Sequence, residues 1–208
     1  MLKRLAVTLF TIGMLGIALL YLYTLPALRR LPKAKEHSHH GITTLDDAVR
    51  FLRASGKTDW ALVSAAQKLV NAKMAYSRRN GWDTPARAFR RGMGYCQQQA
   101  SALLLILRLL EIEARPVQAC CCQFPPKRIH EYEDPGGVSG HMWLVVTIDG
   151  VEKDVCPGHS ENEPGKVHFT LLSRRRNYGP FLQLFGHIGS MIVNVHRDKA
   201  ALKKLQQT

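Results

Sequence analysis

The sequence predicts an α+β domain, helices first and an antiparallel sheet after them, behind one N-terminal transmembrane helix. Three observations predict it. Residues 5–25 carry no charge and are mostly apolar. Residues from Thr43 to about Leu110 place apolar side chains at helical spacing. Beyond them, ARPVQACCCQF, HMWLVVTI and VEKDV read as strands, the last two joined by a two-residue Asp149–Gly150 turn.

The apolar run comes first. At 1.5 Å per residue about 20 such residues span a hydrocarbon core. LAVTLFTIGMLGIALLYLYTL is that long and ends in tyrosines at interfacial positions, with no small-residue cleavage site. An uncleaved anchor over residues 1–25 is therefore expected. Basic residues flank both ends, Lys3 and Arg4 on one side and Arg29, Arg30, Lys33 and Lys35 on the other, so the side of the membrane is not decided. Residues 26–43 hold Pro26, Pro32 and the polar EHSHHG stretch. They read as a basic linker, with His37, His39 and His40 as a solvated tail rather than metal ligands.

The charge points the same way. Of 208 residues, 29 are Lys or Arg and 16 are Asp or Glu, a formal net charge of +13 and a pI near 9.9. Such a chain favours anionic surfaces. Its arginine clusters lack the interleaved aromatics and spacing of nucleic-acid readers, so membrane lipid is the expected partner and nucleic acid is not.

The folded part, expected over residues 44–175, opens with TTLDDAVRFLRAS, which has a threonine N-cap and acids in its first turn. TDWALVSAAQKLVNAKMAYS follows, capped by Thr58 or Asp59 and apolar at Trp60, Val63, Leu69, Val70 and Met74. A turn at Arg79–Asn80–Gly81 precedes a short helix with Pro85 in its first position, where no N–H is missed. The segment from Cys96 to Leu110 is too apolar for a surface helix and is expected to be central and buried. Residues 124–140 read as a long loop, KVHFTLL as a further strand, and 176–208 as a helical extension.

Cysteine chemistry follows from position. Cys96 sits where GMGY feeds the N-terminus of the buried helix. Unpaired amides and the positive end of the helix dipole stabilise a thiolate there. Alone, such a cysteine would be a small apolar filler. His141 begins a strand two residues before Trp143, where it can face a helix N-terminus packed across the sheet. That pairing supplies a general base for the thiol and an acid for the leaving group. The amides of Gln97, Gln98 and Gln99, with that of Cys96 itself, could form part of an oxyanion hole. The other four cysteines, 120, 121, 122 and 156, make an odd total of five, so a complete intramolecular disulfide set is impossible. On a regular strand Cys120 and Cys122 share a face and Cys121 opposes them.

In order, RRGMGYCQQQA, an apolar helix, Ile112-Glu-Ala114-Arg115-Pro-Val117, a long segment, His141-Met-Trp143, a hairpin and DVCP resemble the transglutaminase-like superfamily, whose core is papain-like. The resemblance covers about residues 45–160. It implies a Cys–His–Asp triad and thioester chemistry; the expected substrate is a peptide or protein amide, with no cofactor, and Gln97 and Trp143 are the expected oxyanion or substrate residues. It also allows a catalytically silent peptide-binding module.

The third triad member is less direct. If Asp149–Gly150 is a two-residue turn, 143 faces 156 and 145 faces 154. The family's acid position then falls on Cys156, and Asp154 lies four strand positions from the level of His141, roughly 13 Å away. A bulge would slide Asp154 into reach without changing its face. Asp154 is the expected orienter; a water, an Asn or Gln elsewhere, or no third group are the alternatives.

Overall fold

The computed structural model describes residues 2–29, 39–77, 80–81, 83–129, 132–134, 136–179 and 183. Residues 184–208, and with them most of the expected C-terminal extension, lie outside that description. Helices α1 (Leu2–Arg29), α2 (Leu45–Ala54) and α3 (Asp59–Lys73) come first. They are followed by β1 (Ala75–Tyr76), α4 (Pro85–Arg91), β2 (Met93–Gly94) and α5 (Cys96–Leu109). The second half is β3 (Glu113–Phe124), β4 (Lys127–Ile129), β5 (Tyr132–Asp134), β6 (Gly137–Ile148), β7 (Val151–Val155), β8 (Thr170–Leu171) and β9 (Arg176–Asn177).

Helix starts follow local chemistry. Thr44 accepts from Asp47 N–H while the Asp47 carboxylate accepts from the Thr43 and Thr44 amides, a capping box that fixes the start of α2. Thr84 accepts from Arg87 N–H ahead of Pro85 at the start of α4. α5 is the hub: it packs on α2, α3, α4, β3 and β6. Leu103, Ile106 and Leu107 are fully buried on it, each worth about 1.5–3 kcal/mol of transfer free energy.

The main sheet runs β7-β6-β3-β8, with β9 also paired to β3. Alternation along β6 divides it between two cores. Met142, Leu144 and Val146 face the helices together with Val155. Trp143 and Val145 face the other side with Val117, Ala119, Cys122, Cys156 and Phe169. Because β6 is buried on both faces, its sequence reads as a continuous apolar run.

Several expectations are corrected in detail. The 124–140 segment is not one loop: β3 runs to Phe124, β6 starts at Gly137, and β4–β5 form a hairpin between them. Of KVHFTLL, only Thr170–Leu171 joins the sheet. The start of the proposed 176–208 extension is inside the fold, since β9 pairs with β3 and Tyr178 is buried in the main core. α1 is a 28-residue helix with exposed aliphatic side chains such as Leu9, Ile12 and Leu15. Side chains in it are described without a break only from 7 to 23. Counted over described residues, no helix is long and apolar enough to cross a membrane.

Candidate active site

Two glycines and two glutamines set Cys96 in place. Gly92 ends α4 in the left-handed conformation, φ 77°, which a glycine adopts without steric cost. The chain then pairs in parallel with 75–76, Ala75 N–H donating to Gly92 O and Ser77 N–H to Gly94 O. A Cβ on Gly94 would stand 2.9 Å from Met74 Cε and 3.0 Å from Gln98 Cβ, so this crossing needs glycine.

Gln98 then folds back on the turn. Its Oε1 accepts from the Tyr95 amide, and its Nε2 donates to Asn80 O and Asp83 O at 2.8 Å each. Gln99 Nε2 donates to Met74 O at 2.8 Å. Both glutamines are 2% exposed, so each bond replaces water that cannot reach these groups. Asp83 is itself held by Arg91 Nε at 2.6 Å. The first intrahelical bond of α5 is Gln99 N–H to Tyr95 O. The amides of residues 96–98 thus precede the helical ladder, where the dipole favours negative charge. In the sequence the side chains of Gln98 and Gln99 carry no sign of this bracing; their acceptors lie 18 and 25 residues away.

His141 lies at the edge of an aromatic cluster on β6. Its ring stacks on Trp143 at 5.9 Å between centroids and 14° between planes. Phe169 meets it edge-on at 4.7 Å and Phe124 at 5.2 Å. Its Nε2 lies 3.3 Å from Cys156 Sγ, and that sulfur also accepts from Gly158 N–H at 3.4 Å. Cys156 is 1% exposed.

The expectation for Asp154 is corrected here. The β6–β7 ladder is regular, Leu144 facing Val155 and Val145 facing Asp154, with no bulge to slide the acid forward. Asp154 Oδ1 instead accepts from Trp143 Nε1 at 2.7 Å and Arg175 Nη1 at 2.8 Å. Trp143 is corrected as well: its side chain is fully buried, so it supports His141 from behind rather than offering a surface to substrate. The Gln97 side chain is engaged too, donating to Gln183 O and accepting from Tyr95 OH. Any oxyanion-hole role for Gln97 would therefore fall to its backbone amide.

All five cysteines are free thiols. A register shift between Ala119 and Cys122 breaks the expected alternation: Cys120 is exposed and Cys122 buried. Burial pushes the Cys122 thiol up to about 11, helped by negative charge at Cys121, Cys120 and Cys96, so it stays protonated. Tyr178, which the sequence did not mark, is also near the nucleophile. Burial first and the Cys96 charge second raise its phenol to about 12. Among the described residues no His, Cys, Asp and Glu group is arranged to hold a metal ion; His37 is outside them.

The arrangement holds a half-buried thiol at a helix N-terminus and an imidazole whose Nε2 is occupied by a third side chain. Those are the parts of a cysteine nucleophile site. No curated protein matches this chain. Among solved structures, a Cytophaga hutchinsonii protein described as a putative cysteine protease aligns at 14% identity with a TM-score of 0.41. The alignment covers 75% of this chain and 53% of that one, so this chain spans about half of that protein's length. The model of the transglutaminase-like superfamily matches residues 47–152, taking in α2 through β6 with Cys96 and His141 and stopping short of Asp154 and Cys156. With half of the sequence matched, this chain belongs to the transglutaminase-like superfamily.

Proposed function

We propose that the chain is a membrane-anchored cysteine enzyme acting on amide or peptide bonds through a thioester on Cys96. The observation that carries the reading is the 3.3 Å contact of His141 Nε2 with Cys156 Sγ. It supports a ring held by a side chain other than Cys96, and in this reading Nδ1, the other ring nitrogen, exchanges the proton with Cys96. The Cys96 thiol passes its proton to that nitrogen, and the sulfur attacks the substrate carbonyl. The amides at the start of α5 receive the oxyanion. Collapse returns the proton to the departing amine and leaves a thioester, which water or a second amine resolves with release of the Cys96 thiol. A peptide or protein is the substrate class, and no cofactor takes part. Residues 1–25 tether the domain to lipid; the uncharged run and the exposed aliphatic side chains of α1 support this.

One observation favours a second reading, a silent peptide-binding module. The side chain that meets the His141 ring is a cysteine and not the carboxylate that stabilises imidazolium in a Cys–His–Asp triad. An electrophilic amide-mimic probe separates the two, its adducts mapped by mass spectrometry in wild type, Cys96→Ser and His141→Asn. The enzyme reading expects one adduct on Cys96, much reduced in His141→Asn. Equal labelling of all five cysteines, or none of Cys96, sinks it.

A further inference from the structure

Away from Cys96, a cavity of about 530 Å³ is lined by Arg115, Arg174, Arg175, Arg176 and Asn177. The sheet register locates it. Val117 pairs with Asn177 and Gln118 with Arg176 on one side of β3. On the other, Arg115 faces Val145, which faces Asp154. By strand parity Arg115, Val145 and Asp154 share the face that carries Trp143 and His141. Four positions of β6 separate the level of Arg115 from that of His141, roughly 13 Å at 3.3 Å per residue.

The charges in this cavity do not cancel. Arg115 donates to both Glu152 oxygens at 2.9 Å and to Asn177 Oδ1 at 2.6 Å. Arg175 pairs with Asp154 at 2.8 Å and Glu152 at 3.8 Å. Among the described residues Arg174 and Arg176 pair with no carboxylate. Four guanidiniums against two carboxylates leave 4 − 2 = +2 around one concavity. The two paired arginines are already oriented, which lowers the ordering cost of binding.

We infer that this cavity binds a phosphate monoester or inorganic phosphate, a dianion at neutral pH. A single carboxylate would neutralise half of the excess, and a phosphodiester carries one charge per phosphate. A monoester carries about −1.5 to −2 and presents three acceptor oxygens to guanidinium forks. The site is distinct from Cys96 and stands whether or not Cys96 turns over.

The test uses the full chain in neutral detergent micelles. Inorganic phosphate is titrated at fixed ionic strength against chloride, with melting temperature and tryptophan fluorescence as readouts. Vesicles of phosphatidylcholine with and without phosphatidic acid form the second arm. Arg174→Gln/Arg176→Gln should weaken binding by at least about tenfold, since two charge-assisted contacts are lost. Arg87→Gln/Arg90→Gln, with the same charge removed on α4, should bind as wild type does. Saturation by inorganic phosphate assigns a soluble ester; saturation only by phosphatidic acid vesicles, lost in the same variant, assigns a lipid headgroup. The inference fails if phosphate acts no differently from chloride and the vesicles bind without dependence on Arg174 and Arg176. It also fails if both double variants lose binding equally.

Discussion

Replacing Cys156 by alanine and, separately, Asp154 by asparagine tests which side chain orients His141. Cys156→Ala removes the sulfur 3.3 Å from Nε2 and leaves a ring nitrogen facing a site that is 1% exposed. A typical intramolecular hydrogen bond is worth about 0.5–1.5 kcal/mol net. At about 1.4 kcal/mol per tenfold in rate, its loss should slow Cys96 by roughly two- to tenfold. That is far below the ~10⁴ lost with the acid of a serine triad. Asp154→Asn keeps an amide oxygen for Trp143 Nε1 and removes the charge facing Arg175. That pair is 28% and 36% exposed, so screening limits it to about 0.2–1 kcal/mol. The melting temperature should fall by no more than about 4 °C, with reactivity nearly unchanged. The assay is the rate of Cys96 alkylation by iodoacetamide across pH, with thermal melting on the same samples. If Asp154→Asn slows alkylation a hundredfold at intact fold while Cys156→Ala is unaffected, the assignment of Cys156 is wrong.

Three further outcomes are expected. Gly94→Ala should destabilise by about 1–3 kcal/mol in urea unfolding, because the new methyl meets Met74 and Gln98 within 3.0 Å. Hydrogen bonds from the Thr44 and Thr43 amides hold the Asp47 carboxyl at about 2 instead of the usual 3.8. A depressed folded-state pKa stabilises above the unfolded value and loses that contribution as pH falls through about 2. Asp47→Ala should accordingly melt below wild type at neutral pH, with the gap closing toward pH 2; a pH-independent gap would refute the linkage. Deleting residues 1–29 should move the chain from the membrane fraction to the supernatant in a sedimentation assay, and retention in the membrane fraction would contradict the anchor.

The features legible in the bare sequence are local ones. Helical spacing placed α2, α3 and α5, and Thr44 with Asp47 three residues on marked the start of α2, because capping and periodicity are short-range effects. Asp149–Gly150 implied the register in which 145 faces 154, and that register is observed. In that register position 156 lies nearer the level of His141 than position 154 does, and no bulge in β6–β7 changes this. A bulge does exist, but in β3, where it turns Cys120 out and Cys122 in. Tertiary structure alone decided that Trp143 and Arg175 take up Asp154, that Gln98 and Gln99 brace the nucleophile's turn, and that four arginines share one cavity. Each of these depends on partners from distant parts of the chain, Arg115 and Glu152 being 37 residues apart. A polar side chain's type announces that it needs a partner; only the packed chain determines which one is within about 3 Å.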